Sequence, residues 1–433
     1  MALTPDEHDA IEEMLSEVNS VVGAVTDTVE HDARTVLREA FEETSGYIEL
    51  LDDPFQIYAD DRHSLAELPL EYESVYGIDA GTTRPESYTN GLVIDIANAK
   101  VAMLGEGSDD IERAATIVGA YYHKDDNIEL GEQTLRSGDL TCKLLSVEPS
   151  QTRSLREQVS VRARTMAEGM HAETIAPQLD GPLFRDGSIY PMALRQTLLF
   201  AKGLAVEGGA DLTGTAGKAQ EKEIVDRYIH AIDAQYENGY PLIGIVKTMS
   251  TDQLVSAVEQ KLLKQHDEVN LPWNRDDQFL SSALYVEDPE TVTFTSWLVE
   301  TVLNQNGREI EPLEGFDLAD PDNPQLYRRA FFYVRLPTTG TVFRIEAPLM
   351  MVLSEDDRRS IQRLVLNRMV RAGDTPEVVK RADDRARIPQ QTAKTFKERF
   401  LRDMHAVKGY NRDGRYEQYS YENAYSNNST NNE

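Results

Sequence analysis

The 433-residue sequence contains a single cysteine, Cys142, few lysines and no long apolar run. One thiol closes no internal disulfide and supplies no cysteine-rich zinc site, and its isolation points to a reducing compartment. No stretch approaches the ~18 uninterrupted apolar residues of a membrane span. The opening MALTPDEHDAIEEML lacks the basic and apolar regions of a secretory signal. The expectation is a cytoplasmic protein with no membrane partner, in which the glycosylation-like matches at Asn427 and Asn428 go unread. The eight histidines form no H-x-x-x-H pair, so a zinc-dependent hydrolase would lack its nitrogen ligands.

Of the 44 cationic side chains only 13 are Lys and 31 are Arg, set against 75 acids for a net charge of −31. Apolar content of 40% is too high for a disordered acidic chain, so the charge coats a folded protein. An acidic, lysine-poor surface suits a concentrated-salt cytoplasm, where the Debye length is about 3 Å or less and self-repulsion is screened. The reading is a halophile; the alternative is an acidic surface that repels or mimics nucleic acid. The charge is uneven. Residues 1–100 carry 23 acids and 5 bases, whereas residues 358–402 carry 13 bases and 5 acids.

At roughly 100–200 residues per domain, the length allows two or three domains or one core with insertions. Thr4-Pro5-Asp6-Glu7 is a helix start with Thr at the cap and Glu three residues on. Ile11, Leu15, Val18, Val22, Val25 and Val29 then form one apolar stripe, which packs either on its own domain or on a partner. From Val75 the pattern turns to strands: VYGID, then two segments of GLVIDIANAKVAML around Asn98-Ala99, then further strands and loops over 105–150. Helices are expected at 151–175, 191–206 and 218–238, a glycine-rich loop at 207–217, and strands at 182–185 and 242–247. AFFYVRL and TVFRIEA, residues 330–336 and 341–347, read as a hairpin. Basic helices at about 355–371 and 376–405 precede a tail from Gly409 without aliphatic residues. Alternating strands and helices give an α/β or mixed class.

Two motifs are decoys. Gly214-Thr215-Ala216-Gly217-Lys218-Ala219 lacks the first glycine of a phosphate loop and has Ala219 where Mg²⁺ would need a hydroxyl. His171-Ala172-Glu173 has deaminase spacing, but one cysteine cannot supply the pair of zinc thiolates that should follow.

What remains is a repetition. Asp79 and Asp186 each close a short apolar strand and each precede a glycine-containing turn, Asp79-Ala80-Gly81-Thr82 and Asp186-Gly187-Ser188. A carboxylate at a strand end is held by the sheet, and a small residue after it lets a ligand approach. Such a pair suits Mg²⁺ or Mn²⁺ against a phosphodiester. Each Asp taken alone is equally a turn-starting residue capping its own loop.

GIDAGTT, FRDGSIYP, PLIGIVKTMSTDQL, FFYVRLPTTGTVFRIEAP and TPEVVKRADDRARI, in that order over roughly residues 70–395, together resemble the NurA nuclease family. The resemblance implies a ribonuclease H-like mixed sheet core flanked by helices, with a long N-terminal helix. It implies a Mn²⁺- or Mg²⁺-dependent nuclease acting on single-stranded DNA and DNA ends, as endonuclease and 5′–3′ exonuclease, in end resection and double-strand break repair. It also implies a homodimer partnered by a HerA-type hexameric ATPase. The corresponding division is an N-terminal helical region over 1–68, a NurA-like domain over 69–405 and a disordered Tyr/Asn/Ser-rich tail over 406–433.

Carried over by position, Asp79 and Asp186 are the strand-borne metal aspartates. Glu168, or failing it Glu173, is the helix-borne glutamate. Lys247 stands at the strand-end lysine position, where an ammonium could neutralise phosphate charge. Arg344 and Glu346, two apart on one strand face, fit an internal salt bridge better than catalysis. Near the C-terminus the family's Tyr-Pro and following His are replaced by Thr375-Pro376 and Asp383; Asp383 would offer a hard oxygen ligand in place of the imidazole. Those departures keep open a non-catalytic DNA-end adaptor for the ATPase, and a carboxylate-pair hydrolase of another phosphodiester or a glycoside stays as a third reading. Within the basic 358–402 segment, Arg358, Arg359, Arg363, Lys394 and Lys397 either contact phosphates or pair with the protein's own acids.

Overall fold

The computed structural model describes residues 5–42, 48–52, 54–105, 109–124, 133–148, 154–192, 194, 216–247, 252–263, 271–301, 313, 315–395 and 398. The expected helix at 191–206, most of the glycine-rich loop and the C-terminal tail lie outside these residues. In chain order the elements begin with α1 (Pro5–Glu42), β1 (Ile48–Leu50), β2 (Ile57–Asp61), α2 (Arg62–Glu67), β3 (Val75–Thr82), β4 (Glu86–Ser87) and β5 (Val93–Leu104). Next come α3 (Asp109–Arg113), β6 (Ala115–Tyr122), β7 (Gln133–Ser137), β8 (Leu140–Ser146), α4 (Leu155–Ile175), β9 (Leu183–Asp186), α5 (Ala216–Glu237) and β10 (Leu242–Val246). The chain continues through α6 (Gln253–Leu262), α7 (Asp276–Ala283), β11 (Thr291–Thr295), β12 (Leu298–Glu300), β13 (Arg329–Arg335), β14 (Val342–Pro348), α8 (Glu355–Ala372) and α9 (Glu377–Ala386). Among the described residues no helix is long and apolar enough to cross a membrane.

The chain divides into two compact units, one of residues 1–69, 245–311 and 325–375, the other of residues 70–244, 312–324 and 376–433. This differs from the expected linear division. β1 pairs antiparallel with β12 and β2 with β11, so the N-terminal region is knitted to strands more than 230 residues away rather than standing apart as a helical segment.

In the first unit β12 and β13, and β13 and β14, pair antiparallel. The expected hairpin of 330–336 and 341–347 is β13 and β14, with Phe332 opposite Ile345. The end of α1 supplies Ala33, Leu37, Ala40 and Phe41 to a core shared with α6, α7 and the sheet, including Trp273, Phe279 and Phe331. Earlier in α1, three members of the apolar stripe, Ile11, Leu15 and Val18, are 37%, 57% and 56% exposed. Buried Asp276 accepts from the backbone N–H groups of Leu254 and Val255, satisfying donors at the start of α6 that lack an intrahelical partner. α8 begins at Ser354, whose hydroxyl accepts from the Asp357 N–H at 3.1 Å, and ends at Gly373 in the left-handed region (φ 65°).

The second unit is a mixed sheet with a helix on either face. Its strands run β9-β3-β5-β6-β8-β7, with β10 on the other side of β9. β3, β5 and β6 are antiparallel neighbours, while β9 is parallel to β3 and β8 to β6. β5 is a single 12-residue strand where two were expected. Asn98, which reads as a turn residue, sits mid-strand because its amide donates to the Ala386 carbonyl at 3.1 Å. α4 packs on β3, β5 and β6, and α9 packs on β3 and β5. α9 stops at Ala386, where Pro389 interrupts the expected single helix because its ring would clash with a helical turn before it and it donates no N–H; the chain is helical again over 390–395.

Candidate active site

Two neighbouring parallel strands build the floor of the site. The register pairs Tyr76 with Leu183, Gly77 with Phe184 and Ile78 with Arg185, and the next residue on each strand is Asp79 and Asp186. Both aspartates therefore stand at the carboxyl end of this strand pair. Gly187 follows with φ 107°, a conformation favouring glycine, and turns the chain away directly after Asp186. A Cβ at Gly77 or Gly81 would lie 2.4 Å from the Val378 carbonyl oxygen or 2.8 Å from that of Ala386, so these glycines let α9 lie directly on the strand.

α4 forms the opposite wall. Its cap is Ser154, which accepts from the Glu157 N–H at 3.3 Å. One helical turn separates Arg164 from Glu168, so both fall on one face. Glu168, only 3% exposed, is gripped by Arg185: Nε and Nη2 donate to Oε1 at 3.0 and 2.6 Å. Tyr228 of α5 donates weakly to Oε2 at 3.3 Å, and its ring lies 4.2 Å from the Arg185 guanidinium carbon. Arg185 Nη1 donates to the carbonyls of Ser188 and Ile189 at 2.8 and 2.7 Å. Arg185 thus ties the turn after Asp186 to Glu168. A buried pair of this kind persists because each of the three guanidinium nitrogens finds an acceptor.

Asp79 is 5% exposed and accepts from the Ala80 N–H at 2.7 Å. Burial, then the negative charge of Glu168, push its carboxyl up to about 6; Asp186 adds to the rise, and Arg164 and the Ala80 N–H oppose it. Arg164 Nη2 stands 3.6 Å from Asp79 Oδ1, beyond hydrogen-bond distance.

Three carboxylates thus influence one small region. Among the described residues no three His, Cys, Asp or Glu side chains already converge closely enough to share an ion. The donor set nonetheless fits a hard divalent cation in kind: all donors are oxygen, Glu168 keeps Oε2 largely uncommitted, and Asp79 holds negative charge that its surroundings only partly offset. Hydrolysis of a phosphodiester is the chemistry such a set can support.

Two other sequence-derived candidates, Glu173 and Asp383, are engaged by basic side chains outside the cluster. Glu173 accepts from Arg227 and from His230, the latter at 2.8 Å. Asp383, half-exposed on α9, accepts from Arg387 at 2.7 Å. Lys247 is exposed just after β10. The strand-mates Arg344 and Glu346 form the expected internal salt bridge at 2.7 Å, joined by Arg329 at 2.9 Å. His171 is buried, with Nδ1 3.1 Å from the Thr116 hydroxyl, rather than on a helix surface.

The basic C-terminal segment is largely spent on the protein's own acids. Arg358 pairs with Asp52 at 2.6 Å, Arg359 with Glu355, Arg385 with Glu112 at 3.0 Å and Lys394 with Glu398 at 3.7 Å. Arg358, Arg359 and Arg363 line a cleft of about 700 Å³ within the first unit, where Asp52, Asp60 and Glu355 balance them charge for charge. Lys397 lies outside the described residues. Sequence reading missed Arg164, Arg185 and Tyr228. The arginines carried weak signals, one turn before Glu168 and immediately before Asp186, but Tyr228 carried none.

The family model for the NurA domain matches residues 73–388 of the chain. No curated protein matches it. Among solved structures it is similar to the crystal structure of the NurA nuclease from Sulfolobus solfataricus, at 11% identity and TM-score 0.48, covering 93% of this chain and 98% of that one. It is also similar to a crystal structure of NurA bound to dAMP and manganese, at 12% identity and TM-score 0.46, covering 90% and 97%. The family match runs from just before β3 to just past α9, through every residue of the carboxylate cluster, and the chain belongs to the NurA family.

Proposed function

We propose that the chain is a metal-dependent DNA nuclease that holds Mn²⁺ or Mg²⁺ on Asp79, Glu168 and Asp186. It would act on single strands and DNA ends, with endonuclease and 5′–3′ exonuclease activity, in end resection and break repair. The observation that carries this reading is the pair of aspartates at adjacent parallel strand ends with Glu168 opposite them, inside the span matched by the NurA family model. A ribonuclease H-like core is supported by three antiparallel strands, β3, β5 and β6, followed by parallel β9 bearing the second aspartate.

A bound divalent ion would supply an activated water and stabilise the leaving oxygen of the phosphodiester. The protein's own residues do the positioning. The sheet fixes Asp79 and Asp186, and the Ala80 N–H orients the Asp79 carboxylate by one oxygen. Arg185 engages Glu168 through Oε1 and leaves Oε2 for the site, the arrangement by which outer partners orient a ligand. Asp383, committed to Arg387, stands outside the proposed metal set.

Asp79 and Glu168 are buried with Asp186 beside them, and burying interacting carboxylates costs stability that a passive adaptor has no need to bear, which favours catalysis over the adaptor reading. A homodimer and a HerA-type ATPase partner complete the proposal, on the family resemblance. The test incubates purified protein with Mn²⁺ and end-labelled single-stranded DNA. Cleavage should be lost in Asp79→Ala and Asp186→Ala; cleavage that persists in both removes the assignment.

A further inference from the structure

Two arginines reach the carboxylate cluster, and their hydrogen bonding is opposite. Arg185 is fully enclosed and its donors are spent on Glu168, Ser188 and Ile189. Arg164 has a side chain 49% exposed and donates no hydrogen bond among the described residues; its sole ion-pair contact is the 3.6 Å approach to Asp79. The charges acting on it belong to the cluster itself, Glu168 first, then Asp79, Tyr228 and Asp186. Arg164 is therefore held at the site by attraction at a distance, with its planar fork uncommitted and open to solvent.

An anionic substrate approaching three carboxylates meets repulsion, so a cation beside them is needed, and one that breaks no hydrogen bond on engaging phosphate gives up little. A guanidinium matches two phosphate oxygens at once, which an ammonium does not. We propose that Arg164 is a substrate-binding residue that takes the non-bridging oxygens of the DNA phosphate brought to Asp79 and Asp186. This rests on the nuclease reading above, since it assumes a phosphodiester as the ligand.

The test compares wild type with Arg164→Gln and Arg164→Lys in two assays: anisotropy of a labelled single-stranded oligonucleotide with Ca²⁺, and cleavage of that oligonucleotide with Mn²⁺. A third readout, free of DNA, is the Mn²⁺ concentration that half-saturates the thermal shift. For Arg164→Gln, loss of a bidentate charged contact should weaken oligonucleotide binding by roughly tenfold or more, with partial rescue by Lys. Mn²⁺ half-saturation should fall, because a competing cation has been removed from Asp79; a merely structural role would leave it unchanged. An unaltered melting curve without metal is expected, since no hydrogen bond is lost.

Equal oligonucleotide affinity in wild type and Arg164→Gln overturns the role of Arg164, and if wild type still cleaves, the nuclease reading survives that result. Weakened binding by Arg164→Gln with no cleavage by wild type retains the phosphate site and overturns the nuclease reading. Equal binding with no cleavage overturns both.

Discussion

Replacing Asp79 by Asn should stabilise the metal-free protein at neutral pH while abolishing nuclease activity. Ionising a carboxyl whose pKa stands near 6 instead of 3.8 costs about 3 kcal/mol at pH 7.5. Asn is nearly isosteric, keeps an acceptor for the Ala80 N–H and never ionises. It forfeits only the long contact to half-exposed Arg164, and such exposed pairs contribute about 0–1 kcal/mol. The desolvation relief should win. The sign follows from linkage. Asp79 has a folded pKa above its unfolded value, so the native state binds the proton more tightly. Stability from that proton is fully present below pH ~4 and is lost as pH rises through about 6. Urea unfolding in EDTA should therefore give Asp79→Asn an advantage approaching 3 kcal/mol at pH 7.5 and little at pH 4. Adding Mn²⁺ should narrow the gap, since wild type gains about 2.7 kcal/mol at one hundred times its Kd and the variant gains less. An Asn variant less stable than wild type in EDTA at pH 7.5, or a difference that ignores pH, would refute the reasoning.

Arg185→Met should destabilise by about 3–5 kcal/mol, because it strands the buried charge of Glu168; an equilibrium melt checks this, and a loss below 1 kcal/mol would mean that Glu168 finds another partner. Gly77→Ala should cost about 1–3 kcal/mol by overpacking, since its Cβ would fall 2.4 Å from the Val378 carbonyl oxygen and force α9 off β3; urea unfolding reads the loss directly. With a net charge of −31, the melting temperature should rise steadily from 0.1 M to molar KCl as the Debye length falls from about 10 Å toward 3 Å. A flat profile would detach the acidic composition from a saline environment.

Local signals were the legible part of the fold. Ser354 before three acids and Gly373 after Ala372 mark both ends of α8, and both operate as caps. Pro389 was an equally plain stop for α9, and the expectation of a longer helix passed over it. Asn98 misled because its turn preference is overridden by a hydrogen bond to a residue 288 positions away. The strand partners within residues 1–68 were illegible for the same kind of reason. Nothing within β1 or β2 announces β12 or β11 as partners, and pairing at such separation is decided by the assembled sheet.

The site divides along the same line. Asp79 and Asp186 were readable because strand, carboxylate and glycine turn are contiguous in sequence. Glu168 came only through family resemblance, since a helix carboxylate looks alike whether solvated or buried. Arg164 and Arg185 were invisible as a pair, because what distinguishes them is tertiary: one has its donors consumed and the other has them free. That distinction also changes where positive charge for DNA should be sought. Counting bases favours residues 358–402, yet those cations with described ion-pair partners hold the protein's own acids, and the cleft lined by Arg358, Arg359 and Arg363 is neutral overall. A cation already in an ion pair must give up that partner before it engages a phosphate, whereas Arg164 gives up a single 3.6 Å contact to a carboxylate that burial already pushes toward its neutral form. On a strongly acidic protein, uncommitted donors beside the carboxylates are thus a better guide to the substrate than a local excess of bases.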